Sequence, residues 1–274
     1  MMEVNAPLEK KYQALQKYLR EKKSVIIAFS GGVDSATLLE AALRERSVEV
    51  MALFISSELL SQEEESFARD FLRKRKIPHR EVLLKLLDNP DVRDNPADRC
   101  YHCKGEIFRA IAAVAEEEGF PHILEGSNAD DLHDYRPGKR VLEEMGIESP
   151  LQELGFTKGE IRTLARSFDL PVWDRPSSPC LATRFPSGVT LKQDKLRSLE
   201  EAESSLRKLG LSVLRLRMHE ETARLEVPPG EIPFCTSGET RLKIVEIMKS
   251  TGARYISLDL EGYRPGSMNS VKEE

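Results

Sequence analysis

Residues 24–35, SVIIAFSGGVDS, constrain what this chain can fold into more than any other stretch. Val25, Ile26, Ile27, Ala28 and Phe29 form an unbroken apolar run, too short for a typical helix and closed by Ser30-Gly31-Gly32. Such a run reads as a strand buried on both faces of a parallel sheet. Gly31 and Gly32 then permit unusual φ and a close approach of the backbone to a ligand. Asp34 and Ser35 open a helical pattern that runs to about residue 46. Strand, glycine turn and helix N-terminus together make an anion site, because unpaired N–H groups and the helix dipole converge there. Phosphate is the natural anion for it.

A Walker A loop needs a lysine immediately before its terminal Ser or Thr, and here Asp34 holds that place. Ser30-Gly31-Gly32-Val33-Asp34-Ser35 instead resembles, at all six positions, the PP-loop of the ATP pyrophosphatases. The resemblance implies ATP bound at Ser30, Gly31, Gly32, Asp34 and Ser35. It also implies cleavage between the α- and β-phosphates, and an adenylated substrate oxygen that sulfur or nitrogen replaces.

The pattern beyond the loop predicts strands at 48–55, 81–84 and 122–126, with helices at 61–76 and 101–118 between them and a loop over 88–99. Strands alternating with helices predict a doubly wound, mostly parallel α/β sheet whose ligands sit at the strands' carboxyl ends. Gly126-Ser127-Asn128-Ala129-Asp130-Asp131 lies at such an end, and PP-loop enzymes often carry a similar G-x-N-x-x-D beside the nucleotide. Gly126, Asn128 and Asp131 are therefore candidate nucleotide contacts, the plain alternative being a turn built from Asx caps. Thr157-Lys158-Gly159-Glu160 has capping-box spacing and opens a further helix.

Residues 171–186 carry four prolines and read as irregular, so a domain boundary is expected after 186. The first domain would be the PP-loop domain, 1–186, and the second a small α/β domain, 187–274, for substrate binding and oligomerisation. In it Leu196, Leu199, Ala202, Leu206 and Leu209 form one helical face, 213–218 and 222–227 a hairpin, Leu242, Val245 and Met248 another helix, and 255–260 a strand.

With 40% apolar and 32% charged residues the chain reads as globular, without an apolar segment of membrane-spanning length or a secretory h-region. A net charge of −5 offers no footprint for nucleic acid. Four cysteines in 274 residues point to the cytoplasm and to metal or catalytic chemistry over disulfides. Cys180, in a proline-bracketed loop near Arg175 and Arg184, has the electropositive setting that activates a thiol, set against the bland reading of a half-buried inert one. Cys100 and Cys103 form Cys-x-x-Cys at a helix start, open to three readings: half a zinc site, a redox pair, or two ligands of an iron–sulfur cluster.

Taken with the PP-loop, the stretches Arg99-Cys100-Tyr101-His102-Cys103-Lys104 and Pro179-Cys180-Leu181-Ala182-Thr183-Arg184, and the tail LDLEGYRPGS from Leu258, resemble the LarE family over nearly the whole chain. Those enzymes are ATP-dependent sulfur transferases that adenylate a carboxylate of pyridinium-3,5-biscarboxylic acid mononucleotide and yield a thiocarboxylate for the nickel-pincer cofactor. The resemblance implies ATP and Mg²⁺, Asp34 being the metal's partner. It also implies a small-molecule nucleotide substrate, a sulfide donor, no nucleic acid or membrane partner, and a homo-oligomer, trimer or hexamer. Members with one cysteine, at the position of Cys180, sacrifice its sulfur. Members with three, matching Cys100, Cys103 and Cys180, are thought to hold a 4Fe–4S cluster with an exchangeable sulfide, and this chain has all three. Cys235 is then a structural spare.

Phe54, at the expected end of the second strand, would meet adenine with its main chain, and Arg184 joins the candidate cofactor contacts. By alternation Arg215 and Arg217 share one strand face, where the resemblance has them grip the substrate phosphate; the plain reading is a solvated face paired with Glu226. The rival functions are transfer RNA thiolation, a GMP- or NAD-synthetase-like amidotransferase, and a nucleotide-binding regulator without turnover.

Overall fold

Alternation along two adjacent strands sets the layers of the larger part of this protein. The computed structural model describes residues 5–133, 138–176 and 178–264. They fall into two compact units, one within Met1–Leu86 and Asp98–Ser178, the other within Leu87–Ala97 and Pro179–Glu274. In chain order the elements begin with α1 (Ala6–Lys22), β1 (Ser24–Phe29), α2 (Val33–Arg44), β2 (Glu49–Ser57), α3 (Gln62–Lys74) and β3 (His79–Leu84). Next come α4 (Pro90–Arg93), α5 (Arg99–Glu118), β4 (His122–Leu124), α6 (Lys139–Glu144), α7 (Pro150–Glu153) and α8 (Lys158–Ser167). The chain continues through α9 (Gln193–Lys208), β5 (Arg215–His219), β6 (Thr222–Glu226), α10 (Ile232–Thr236), α11 (Gly238–Lys249) and β7 (Tyr255–Leu258).

In the first unit β1 and β2 pair in parallel, Phe29 beside Phe54, and successive side chains point to opposite faces. Val25, Ile27 and Phe29, with Val50, Ala52 and Phe54, enter a core closed by α1, α2, α3 and α8. Ile26, Met51 and Leu53 enter a second core under α5 and α6, against Phe108, Ile111 and Val141. The sheet is thus covered on both faces, as a parallel sheet must be. Its order is β3-β2-β1-β4, every pair parallel. The strand order reverses between β1 and β4, and in such sheets that reversal opens a crevice at the carboxyl ends.

The second unit has a sheet of order β5-β6-β7, the first pair antiparallel and the second parallel. Leu196, Leu199, Ala202 and Leu206 bury the expected face of α9. In α11 the expected stripe is rotated: Ile244 and Met248, one turn apart, are buried, while Leu242 is 58% exposed. The expected loop 88–99 holds a helical turn, α4, with Pro90 at its start and Asn89 accepting the Asp91 N–H at 2.9 Å. Strand β4 stops at Leu124, earlier than expected, because Glu125 turns its carboxylate back onto its own loop. Among the described residues no helix is long and apolar enough to cross a membrane.

Ile27 is fully buried in the central region of the sheet. Ile27→Ala should cost about 2–5 kcal/mol of unfolding free energy in urea titrations; a loss under about 1 kcal/mol would show that this layer collapses around the missing atoms.

Candidate active site

The loop after β1 is pinned by its two serines. Ser35 Oγ accepts the Ser30 N–H at 3.2 Å, lies 3.1 Å from Ser30 Oγ, and donates to the Gly32 carbonyl at 3.2 Å. Gly31 has φ of +78°, a backbone that side chains rarely adopt. Gly32 is the N-cap of α2, extended and without a side chain to cap the helix. The first N–H groups of a twelve-residue helix therefore face the crevice with the positive end of its dipole.

Asp34, in the first turn of α2, has its Oδ2 held by Lys158 Nζ at 2.5 Å. Its Oδ1 is buried and accepts no hydrogen bond. Burial pushes the Asp34 carboxyl above the usual range despite the pull of Lys158; Asp131 adds to the rise, and the nearby Asn128 amide moderates it. Asp34 is thus paired with a lysine from 124 residues away, at the start of α8. The capping box forms as expected, with Thr157 accepting the Glu160 N–H and Glu160 the Thr157 N–H. Asp130 Oδ2 accepts the Lys158 N–H at 2.9 Å. Spacing alone gave Lys158 only a place in that box. The legible signal was the carboxylate at the Walker lysine position, which calls for a cation but does not say which.

The loop after β4 reaches the same place. Glu125 is buried; its Oε1 accepts Ser127 N–H at 2.8 Å and Ser149 Oγ–H at 2.5 Å, and its Oε2 accepts Ser127 Oγ–H at 2.9 Å. Asn128 accepts the Asp130 N–H and Asp131 the Asn128 N–H, both at 3.0 Å. A Cβ on Gly126 would lie 2.8 Å from Ser35 N and 3.1 Å from the Asp34 carbonyl carbon. The Asx turn and the site are therefore one object: the turn sets the loop directly against the start of α2. Phe54 is not terminal as expected, since β2 runs on to Ser57; it lies level with Phe29, the last residue of β1, its ring buried.

The cysteines divide between the units. Cys100 and Cys103 are the second and fifth residues of α5, one turn apart, exposed and half-buried respectively. The Arg99 guanidinium, itself buried, stands 3.7 Å from Cys100 Sγ, and His102 Nε2 lies 3.3 Å from Asp98. Half-buried Cys180 belongs to the second unit, just before the 3₁₀ turn Leu181–Arg184. Cys235 is buried in α10, which pushes its thiol up. Among the described residues no cysteines are joined by a disulfide, and no three His, Cys, Asp or Glu side chains stand together as a metal site.

Of the two arginines expected near Cys180, Arg184 lies beside it, its Nη1 3.1 Å from the Cys180 carbonyl and its charge paired with Glu203. Arg175 lies in the first unit, bonded to Glu64 at 2.8 Å and stacked 3.9 Å over the Phe67 ring. Arg184 is 1% exposed, its Nε and Nη2 on the Glu203 carboxylate at 3.1 and 3.0 Å and its Nη1 on the Pro179 carbonyl at 2.7 Å. Nor is the face of Arg215 and Arg217 solvated, because every residue from Arg215 to Met218 is buried. Arg217 pairs with Glu226 across the hairpin at 3.2 Å. Arg215 donates to the Leu214 carbonyl and lies 5.3 Å from the Tyr263 ring; burial, then the nearby Arg184 charge, pull its pKa down.

Residues 4–135 match the PP-loop domain family. The chain is 33% identical over 268 residues to the pyridinium-3,5-bisthiocarboxylic acid mononucleotide synthase of Lactiplantibacillus plantarum, covering 97% of this chain and 96% of that one. It is 36% identical over 264 residues to the protein slr1717 of Synechocystis sp., covering 96% and 98%. A glutamine-hydrolysing GMP synthase polypeptide from Methanococcus maripaludis is 28% identical over 221 residues, 71% of this chain and 66% of that one.

Gly126→Ala should leave the protein folded but weaken ATP binding at least about tenfold in calorimetry, since the added carbon presses on the α2 backbone; unchanged affinity would mean that the contact relaxes. Burial raises the Glu203 carboxyl, but Arg184 and the Leu216 N–H outweigh it and hold it below the usual range. Its stabilising contribution is therefore full above the ordinary glutamate range and is lost as pH falls through the folded value. Glu203→Gln should cost about 3–5 kcal/mol near pH 7, with the melting-temperature gap to wild type narrowing as the pH falls below the ordinary glutamate range.

Proposed function

The chain belongs to the LarE family of PP-loop enzymes, ATP-utilising sulfur transferases, and from that membership we propose that it adenylates a carboxylate of pyridinium-3,5-biscarboxylic acid mononucleotide and converts it to a thiocarboxylate. The observation that carries this reading is the convergence, at the β1/β4 reversal, of the uncapped α2 N-terminus, Asp34 with Lys158, and the Gly126 loop. Converting both carboxylates would give the product after which the Lactiplantibacillus relative is named, a bisthiocarboxylate able to chelate nickel.

A carboxylate resists nucleophiles because its leaving group would be oxide. In the proposed reaction a substrate carboxylate oxygen attacks the α-phosphorus, the bond to the bridging oxygen of the β-phosphate breaks, and pyrophosphate leaves. A sulfur nucleophile then attacks the acyl carbon and AMP departs. The α2 N–H groups and the Gly31–Gly32 turn would hold the pyrophosphate end, with Lys158 moving from Asp34 to the phosphates as charge develops on them. The buried, unpartnered Oδ1 of Asp34 suits a divalent cation, and Mg²⁺ bound there would share the charge of the phosphates. Gly126, Asn128 and Asp131 would flank the nucleotide and the Phe54 main chain its adenine. Arg215 and Arg217 are assigned to the substrate phosphate; burial, then the neighbouring Arg184 charge, pulls the Arg215 pKa down, and a bound phosphate would offset both.

Thiolate donors at Cys100 and Cys103, with Cys180 as a third, fit the chemistry of a 4Fe–4S cluster. Such a cluster would supply an exchangeable sulfide on the iron that the protein leaves unligated. This thiol chemistry is the reason for assigning the enzyme to the cytoplasm, and a homo-oligomer, trimer or hexamer, belongs to the same reading.

Lys158→Gln should slow substrate-dependent pyrophosphate release by about 10²–10³-fold; a change under about threefold would remove Lys158 from the phosphate site. With ATP, sulfide and the biscarboxylate, each protein should form thiocarboxylate repeatedly, and anaerobic reconstitution should give iron–sulfur absorbance that Cys100→Ala lacks. Single turnover with Cys180 lighter by the mass of H₂S would establish the sacrificial route instead, and pyrophosphate release dependent on a transfer RNA would move the enzyme to RNA thiolation.

A further inference from the structure

Three donors converge on one backbone carbonyl in the second unit, that of Cys180: Thr183 N–H at 3.0 Å, Thr183 Oγ1 at 2.8 Å and Arg184 Nη1 at 3.1 Å. The same Nη1 reaches the Pro179 carbonyl at 2.7 Å, so Arg184 straddles the peptide link that carries the cysteine. The opposite edge of the guanidinium is locked on Glu203, and both side chains are 2% exposed. Glu203 is fixed in turn, its Oε1 accepting the Leu216 N–H of β5 at 3.0 Å and its Oε2 the Arg207 guanidinium at 3.3 Å. From the same strand Arg217 Nη1 donates to the Thr183 carbonyl at 2.7 Å. The short 3₁₀ turn behind Cys180 is thus tied to α9 and β5 by charged groups.

Stability alone does not call for this arrangement, because desolvating two charges costs about what their attraction returns, and a well-packed apolar pair often serves as well. What an apolar pair cannot do is aim N–H groups at the Pro179 and Cys180 carbonyls. A planar guanidinium can bind a carboxylate on one edge and carbonyls on another, and an ammonium cannot reproduce that fork. We propose that Arg184, locked by Glu203, is a positioning residue for Cys180: it fixes the backbone on which the thiol rides. The positioning stands on geometry alone; its consequence for sulfur transfer rests on the proposed function of Cys180.

The test uses the full-length protein as Arg184→Met/Glu203→Leu and as Arg184→Lys. Alkylation of each cysteine by iodoacetamide is followed by peptide mass spectrometry, with Cys100 and Cys235 as internal references, beside the melting temperature. The double variant should melt near wild type, yet Cys180 should alkylate at least about fivefold faster in both variants, with the references within about twofold. In sulfur transfer kcat should fall while KM holds. Unchanged Cys180 labelling in either folded variant would overturn the proposal, as would equal acceleration at all three cysteines, which reports general loosening. If the double variant does not fold, Arg184→Lys decides; if neither folds, the pair is a folding determinant and the positioning role is rejected. Full sulfur transfer by Cys180→Ala would refute the role of the thiol and leave the labelling result intact, so the two failures are distinguishable.

Discussion

Everything at the crevice depends on how closely two strand ends can approach. β1 and β4 are neighbours in the sheet, and the loops that leave them meet with Gly126 against the backbone of Asp34 and Ser35. Only a residue without a Cβ fits there. That contact holds the Asn128–Asp131 turn at the start of α2, where its groups act on the Asp34 carboxyl. The glycines have separate duties: Gly31 supplies a positive φ, Gly126 supplies proximity.

Charge is handled differently in the two units. Around the phosphate loop the polar groups are poised for exchange. Asp34 is half satisfied, one oxygen on a lysine and the other buried without a partner, its carboxyl pushed up by burial. An anion with a divalent cation could take over these groups without breaking the core. Around Cys180 the reverse holds, since Arg184 and Glu203 are buried and bonded to each other, and removing either one would leave a charge buried. A site that binds and releases a nucleotide needs groups free to change partners, whereas the groups behind Cys180 are bonded to its own backbone.

Much was legible from the chain alone. A run hydrophobic at every position and too short for a helix reads as a strand covered on both sides, so 25–29 announced a parallel sheet, and the serine–glycine turn after it announced a phosphate site. Capping at Thr157 formed as expected, and the hairpin expected at 213–218 and 222–227 formed over 215–219 and 222–226. The errors were also local in origin. The plain reading of Arg215 and Arg217 as a solvated face could not see that the face is covered, and the stripe through Leu242 was off by a rotation that only packing sets. Proximity in sequence placed Arg184 beside Cys180, where it stands, but could not show that its charge is paired with Glu203 or that Arg175 is paired with Glu64.

Sequence by itself determined the sheet, the phosphate loop and the kinds of atom available for chemistry, because short-range periodicity and residue type are enough for those. Only the tertiary structure decided that Lys158 pairs with Asp34, that Gly126 closes on α2, and that Arg184 lies between Glu203 and the carbonyls of Pro179 and Cys180. Each of these contacts joins residues through a folded core or around a buried charge. What selects the partner there is the cost of leaving a polar group buried and unpaired, a quantity that no spacing in the sequence encodes.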